Sequence, residues 1–360
     1  MSLLEKIKKN STIKESSILI NSKFFNEKDM IQTSIPALNI ALSGKVDGGI
    51  SPGLTQWCGE SARFKSMFCL VMAKAYLEKY PEAVLLFYDS EFGSPKSYFE
   101  KIGIDQNRII HTPITDIEQL TFDCMNQLKE IERGEKLFIV IDSIGNLASK
   151  REVENSLAEK GAEDLSRPKK LKAFFRMVTP HLNIKNIPMH IVNHVYKEMS
   201  LYPKDIVAGG QGSYLSSDNI YIIGKQQEKD GTELVGYNFV INVEKSRFVK
   251  PKSKIPIAVS FEKGISKYSG LLDIAIELGF CVKPSMGWIA KVNPQTGEIE
   301  EKKYRAKDTN TKDFWQPILD SQEFKDAVYD RYSISSHSII SDDDINNSFE
   351  NAATEEEYED

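Results

Sequence analysis

From Leu54 onward the hydrophobic and polar positions switch repeatedly between two periods. Leu54-Thr-Gln-Trp-Cys58 reads as a short apolar strand, and residues 65–80 place Phe68, Val71, Met72 and Tyr76 on one side of a helix. Ala83-Val-Leu-Leu-Phe-Tyr88 is a continuous apolar run of the kind buried parallel strands show. Residues 108–111 predict a short strand and 117–132 a helix. Leu137-Phe-Ile-Val-Ile141 is the clearest central strand, followed by a helix over 170–182 and a buried strand over 188–192. Strand-like runs at 220–223, 239–243 and 255–261 then follow with no helical period between them. Alternation followed by a meander predicts an α/β fold with a mainly parallel sheet whose last strands are antiparallel.

Two long stretches, 149–168 and 196–217, break this rhythm. Each leaves the carboxyl end of a central strand, where open α/β sheets bind ligands. A smaller α+β unit is expected over 269–335, with a helix over 271–278, a hairpin around Asn293-Pro-Gln-Thr-Gly297 and a helix over 314–331. That leaves 36–268 as the core and 1–35 as an N-terminal arm suited to oligomerisation.

Composition refines the picture. At 41% hydrophobic residues the 360-residue chain can bury a full core. No stretch approaches the roughly 18 apolar residues of a membrane span, and the Lys-rich start has no apolar run behind it, so neither membrane insertion nor secretion is expected. Cys58, Cys69, Cys124 and Cys281 have no metal or disulfide spacing and read as interior thiols of a cytoplasmic protein. The net charge of −6 is concentrated at one end. Residues 341–360 hold nine acids and no Lys or Arg, and the remainder sets 46 basic residues against 43 of the 52 acidic ones, about +3. Residues 336–360 are therefore expected to be a disordered acidic tail, either solubilising or competing with a polyanion for a basic groove.

The chemistry begins between the first strand and the first helix. Gly59, Glu60, Ser61, Ala62, Arg63, Phe64, Lys65 and Ser66 match G-x-x-x-x-G-K-[ST], except that Phe64 replaces the second glycine. A loop joining strand to helix at that spacing turns backbone N–H groups, including that of Met67, toward phosphates. Lys65 would place its ammonium on the β- and γ-phosphates of ATP, and Ser66 would give its hydroxyl to Mg²⁺. Asp142, closing the central strand, fits the acid that holds Mg²⁺ through water. Glu91, just beyond the second strand, fits a general base for water. Singly, an acid at such a position is more often a helix cap or turn residue.

In combination, these and further segments resemble the RecA-type recombinase family, and within it the UvsX-like branch of T-even-like phages. The segments are Phe24-Phe-Asn-Glu-Lys-Asp29, Ile40-Ala-Leu-Ser-Gly44, residues 59–66, Phe87-Tyr-Asp-Ser-Glu-Phe-Gly93, Ile141-Asp-Ser-Ile-Gly-Asn-Leu-Ala-Ser-Lys150, Asn193-His194 and Val243-Glu-Lys-Ser-Arg247. The resemblance spans about residues 24–332. It implies a RecA-like P-loop ATPase core in a phage protein acting in the host cytoplasm. It implies further that Glu91 activates water, Tyr98 stacks on adenine, His194 senses the γ-phosphate, and Lys245 and Arg247 complete the ATP site of a neighbouring protomer.

The same resemblance makes the two long stretches DNA-binding loops. The first, with its flanks, carries Lys150, Arg151, Lys160, Arg167, Lys169 and Lys170; the second carries Tyr196, Lys197, Tyr202, Lys204, Gly209, Gly210, Gly212 and Tyr214. Cations with aromatics and flexible glycines suit sequence-independent binding of single strands. The expected function is an ATP-dependent recombinase forming helical filaments on single-stranded DNA and pairing it with double-stranded DNA. A recombination mediator and a single-strand-binding protein are the expected partners. The alternatives are a hexameric helicase of the same core fold, which predicts closed rings, and a small-molecule kinase, which predicts an ATPase indifferent to DNA.

Overall fold

The computed structural model describes residues 2–13, 16–22, 30–157, 166–199, 201 and 203–334. Phe24, Phe25, Lys160, Tyr202 and the acidic tail lie outside them. Two compact units divide the chain, one formed by 1–33 with 50–224, the other by 34–49 with 225–360. Among the described residues, no helix is long and apolar enough to cross a membrane.

The chain opens with α1 (Leu3–Asn10), in the first unit, and α2 (Pro36–Ser43), in the second. The first unit continues through β1 (Gly53–Cys58), α3 (Lys65–Lys79), β2 (Val84–Asp89), α4 (Lys96–Ile102), β3 (Ile109–Pro113), α5 (Ile117–Glu130) and β4 (Leu137–Asp142). Then come α6 (Lys150–Leu157), α7 (Arg167–Lys185), β5 (Pro188–Asn193), β6 (Val195–Lys197), β7 (Asp205–Val207), α8 (Gly210–Ser216) and the start of β8 (Asn219–Asp230). Its sheet runs β8-β1-β5-β4-β2-β3, with every pairing parallel.

Every residue of β1, β4 and β5 is buried, which explains why these strands read as unbroken rather than alternating apolar runs. Successive side chains go to opposite faces. Leu86, Tyr88, Ile139, Ile141, Met189 and Ile191 form one core with α5 and α7. Phe138 packs instead against Tyr76 of α3, and Trp57 against Phe68 of the same helix. Each such fully buried aliphatic or aromatic side chain stabilises the fold by about 1.5–3 kcal/mol. Local signals set the helix ends: Asp116 caps α5 by accepting from Gln119 N at 2.8 Å, and α7 begins with Pro168 in its first turn.

Neither long stretch is structureless. The first holds α6, and α7 starts at Arg167, before the helical period becomes visible at 170. The second folds into the antiparallel β6–β7 ribbon and α8. No hydrophobic periodicity announces these pieces because polar contacts seat them, as the site shows.

In the second unit, β9 (Glu233–Lys245), β10 (Lys254–Ser260) and β11 (Gly264–Ile265) are antiparallel neighbours. They are followed by α9 (Leu271–Glu277), the three-stranded antiparallel sheet of β12 (Cys281–Ser285), β13 (Trp288–Val292) and β14 (Ile299–Arg305), then α10 (Lys312–Asp320) and α11 (Gln322–Tyr332). The single helix expected over 314–331 is two. Ser321 adopts extended backbone and caps α11 by accepting from Phe324 N at 3.2 Å, which breaks the helix there. The expected mainly parallel sheet with antiparallel strands at one end, and a small C-terminal antiparallel sheet with helices, is the fold the chain adopts.

Candidate nucleotide site and its neighbouring loops

Four parallel strands deliver the candidate residues at their carboxyl ends. After β1 the chain turns through 59–64 into α3, with Ala62 at φ 56° and Phe64 at φ 64°. Phe64 thus takes the left-handed backbone that glycine adopts freely and bulky residues rarely do, at a cost on the order of 1–3 kcal/mol. Its ring meets Phe68 edge-on at 5.4 Å, and Phe68 stacks on Trp57 at 5.2 Å. The one residue that departs from the loop pattern is therefore tied into the aromatic cluster beneath α3. Lys65 is buried and donates to the carbonyls of Gly59 at 2.9 Å and Glu60 at 2.7 Å. Burial pulls its ammonium below the usual lysine range, against the attraction of Glu91 and Asp142. Glu60 and Arg63 form an ion pair within the loop.

Asp89 of β2 and Asp142 of β4 are register partners on adjacent strands. Asp89 Oδ1 accepts from the backbone N–H of Glu91 at 3.1 Å and of Phe92 at 2.7 Å. These bonds turn the chain immediately after β2 and set Glu91. Asp142 is buried; its Oδ2 accepts from Ser94 Oγ at 3.3 Å, while Oδ1 has no hydrogen-bond partner among the described residues. Burial pushes its carboxyl up to about 6, opposed by a hydrogen bond with Ser66 and reinforced by Glu91 and Asp89. The Asp142–Ser143 peptide is cis.

Glu91 is the hub. Its Oε1 accepts from Ser143 Oγ and from Asn146 Nδ2 at 2.8 Å, and lies 3.1 Å from His194 Nε2. Burial pushes this carboxyl up, yet the bonds from Ser143 and His194 and the charge of Lys65 outweigh it, holding Glu91 below the usual carboxylate range. It is an ionised, oriented carboxylate. His194 follows β5, and its backbone N–H donates to Asn193 Oδ1 at 2.8 Å. Lys65, Ser66, Glu91, Asp142 and His194, dispersed over 130 positions of sequence, are thereby brought together.

The remaining predicted residues are placed as follows. Tyr98 is exposed on α4. Lys245 and Arg247 belong to the second unit, at the end of β9 and just beyond. Lys150 and Arg151 are exposed at the start of α6, and Lys169 and Lys204 are exposed as well. Arg167, by contrast, donates to the carbonyls of Leu147 at 2.8 Å and Gly145 at 2.5 Å. Lys170 pairs with Glu118, and Lys197 with Asp205 at 2.6 Å. Gly209 and Gly210 take left-handed φ values of 94° and 71°. Gly212 lets α8 approach α7, since a Cβ there would stand 2.7 Å from Lys172 Cβ.

Sequence reasoning missed Ser94, Ser143 and Asn146, which orient the two acids, and Gln56, a fully buried amide in β1. Only Gln56 carried a signal of its own: a carboxamide in the middle of an apolar strand.

Comparison with known proteins bears on this arrangement. The profile of the RecA N-terminal domain matches residues 2–266. That of the C-terminal domain of the bacteriophage T4 recombination and repair protein matches 268–328. The Enterobacteria phage T4 recombination and repair protein is 51% identical over 336 residues, covering 92% of this chain and 86% of its own. Protein RecA of Streptomyces rimosus is 26% identical over 277 residues, 76% of this chain and 71% of its own. Protein RecA of Cutibacterium acnes is 24% identical over 276 residues, with 75% and 76% covered. A chain that carries this strand-to-helix loop, this pair of strand-end acids and these matches belongs to the RecA family.

Proposed function

We propose that this protein is an ATP-dependent recombinase that assembles as a helical filament on single-stranded DNA and promotes homologous pairing and strand exchange. One observation carries the reading: Lys65, Ser66, Glu91 and Asp142 converge at the carboxyl ends of neighbouring strands. Within that convergence, one buried oxygen of Asp142 has no hydrogen-bond partner among the described residues. A buried carboxylate oxygen left bare, beside a serine hydroxyl and a lysine, is the donor set a Mg²⁺-bound triphosphate requires.

Mg²⁺ and ATP, when bound, supply the transferable phosphoryl group and the charge that the loop is built to hold. The backbone of 59–67 would cradle the phosphates, and Lys65 would shift its ammonium from loop carbonyls to phosphate oxygens. Ser66, and Asp142 through water, would hold the metal. Glu91 would orient and deprotonate water with Oε2, since Ser143, Asn146 and His194 converge on Oε1. His194, bonded to that same base, would register the γ-phosphate. Tyr98 would cover the adenine, and Lys245 and Arg247 of one protomer would complete the site of the next. For this reading the functional divisions are 1–35, 36–268, 269–335 and 336–360.

Lys150, Arg151, Lys169 and Lys204, with the glycines at 209, 210 and 212, would contact DNA first. Arg167, Lys170 and Lys197 would join by exchanging their present acceptors for phosphates. Self-assembly is supported by apolar side chains left in water, namely Leu3, Leu4 and Ile7 on α1 and Ile110 on the edge strand β3. A head-to-tail contact burying them and failing to close gives a helix.

ATPase assays with and without single-stranded DNA, and electron microscopy with an ATP analogue and DNA, test the whole. DNA-stimulated hydrolysis with open filaments is expected. Closed hexamers would return the reading to a ring helicase, which matches to a recombination protein and to RecA do not favour. An ATPase indifferent to DNA would point to a kinase.

A further inference from the structure

A chain of buried carboxamides leaves the nucleotide site by way of β1. Asn193, at the end of β5 beside His194, is 1% exposed and has both amide protons engaged. Its Nδ2 donates to Ala208 O at 2.9 Å and to Gln56 Oε1 at 2.8 Å, while its Oδ1 accepts from His194 N. Gln56 lies in the middle of the central strand β1, fully buried. Its Nε2 faces Ser213 O at 3.1 Å, Ser213 Oγ at 2.7 Å and Ser217 Oγ at 2.6 Å. Ser213 is fully buried within α8, and Ser217 is the residue that ends it.

Burying an amide in a strand core is costly unless its bonds are made, and here they are made in one direction only. Turning the Gln56 amide over would bring its oxygen against the carbonyl of Ser213 and its nitrogen against the amide of Asn193. The relay is therefore polar, directional and continuous from Glu91 and His194 to α8, which carries Gly210 and Gly212 of the second long loop. A small apolar cluster also joins β1 to the second loop, Cys58 packing with Val207 and Ile220, but it reaches β7 rather than α8 and carries no directional bond.

We infer that Gln56 is a positioning residue that transmits the state of the nucleotide site, through Asn193, to the seat of α8. It thereby makes the DNA affinity of the second loop depend on the bound nucleotide. This rests on the recombinase reading above. A shift of His194 pulls on the backbone and amide of Asn193. Gln56 can follow only by changing its hold on Ser213 and Ser217, so directional hydrogen bonds, beside the close approach at Gly212, register α8 against the nucleotide site.

The test is the ratio of single-stranded DNA affinities with an ATP analogue and with ADP, measured in the full-length protein. Gln56→Met keeps length and apolar volume while removing the amide. Asn193 retains Ala208 O, and Ser217 Oγ still donates to Ser213 O at 2.9 Å, so the fold has a way to close. Coupling between two sites ordinarily spans about 5–150-fold. In Gln56→Met the wild-type ratio should collapse to below about 3-fold, while DNA-free ATPase and affinity in ADP stay within roughly 2-fold. A merely structural role would lower both affinities together and leave the ratio alone. Wild-type coupling that survives in a folded Gln56→Met overturns this inference but leaves the recombinase reading standing. A wild-type affinity that ignores the nucleotide overturns both. Should Gln56→Met fail to fold, Ser217→Ala decides: a reduced ratio supports the relay and an unchanged one overturns it.

Discussion

Gly145 makes room for His194: a Cβ at position 145 would stand 2.6 Å from His194 Cδ2 and 3.0 Å from Asn193 Oδ1. Real Cβ atoms do not approach that closely, and the imidazole is the movable partner. Gly145→Ala should therefore swing the ring away from Glu91, breaking the 3.1 Å contact. Hydrolysis should drop on the order of 10²-fold, the lower end of the range a positioned base supplies. Melting should change little, because Gly145 has no left-handed backbone requirement. Unaltered turnover in the alanine variant would show that the histidine does not need its present seat.

Glu91→Gln retains shape and can still accept from Ser143 and Asn146, but it cannot take a proton. Nucleotide and DNA binding should persist while turnover falls roughly 10²–10⁴-fold. Steady-state ATPase beside nucleotide titration separates the two effects. Near-normal turnover would remove Glu91 from the role of base.

Asp142 predicts a pH dependence whose sign is unusual for an aspartate. Its folded carboxyl is raised from 3.8 to about 6, so the folded state holds a proton that the unfolded chain releases. The stability it contributes is complete below pH 4 and is lost as pH rises through 6, at most roughly 3 kcal/mol. Asp142→Asn should thus gain on the wild type between pH 4.5 and 7.5 in ligand-free melts, and lose Mg²⁺-dependent nucleotide affinity at the higher pH. A pH-independent difference between the two proteins would mean the carboxyl is not raised.

Phe64 sets a backbone cost against ring packing. Phe64→Gly relieves the left-handed φ but surrenders the edge-on contact with Phe68, worth about 0.5–1.5 kcal/mol beyond its area. These nearly offset, so melting and nucleotide affinity should stay close to wild type. Phe64→Val keeps the strain, adds branching at Cβ and loses the ring, and both quantities should fall clearly. Equal behaviour of the two variants would dissociate the loop's shape from this residue.

The central strands were legible because burial on both faces leaves an unbroken apolar run, and the turn from β1 into α3 because spacing and context coincide there. Glu91 and Asp142 were legible as strand-end acids. Their orienting partners Ser94, Ser143 and Asn146 were not, since small polar residues in turns look alike until a fold brings them to one oxygen. The pieces within the two long stretches were hidden for a related reason. Helix α8 is seated by Gln56 and by the absence of a side chain at Gly212, neither of which leaves a hydrophobic period. Arg167 and Lys170 read as cations awaiting DNA, whereas carbonyls at 145 and 147 and the carboxylate of Glu118 already engage them.

Lys65 gives nucleotide affinity a particular meaning. Its ammonium already donates two protons to carbonyls of the loop that would wrap a triphosphate. A polyanion bound there would have to out-compete the chain's own backbone, and the carbonyls it displaced would need new donors at the same moment. Any measured dissociation constant therefore reports a swap between two sets of contacts. A substitution that weakens the internal set will tighten binding without touching the nucleotide at all.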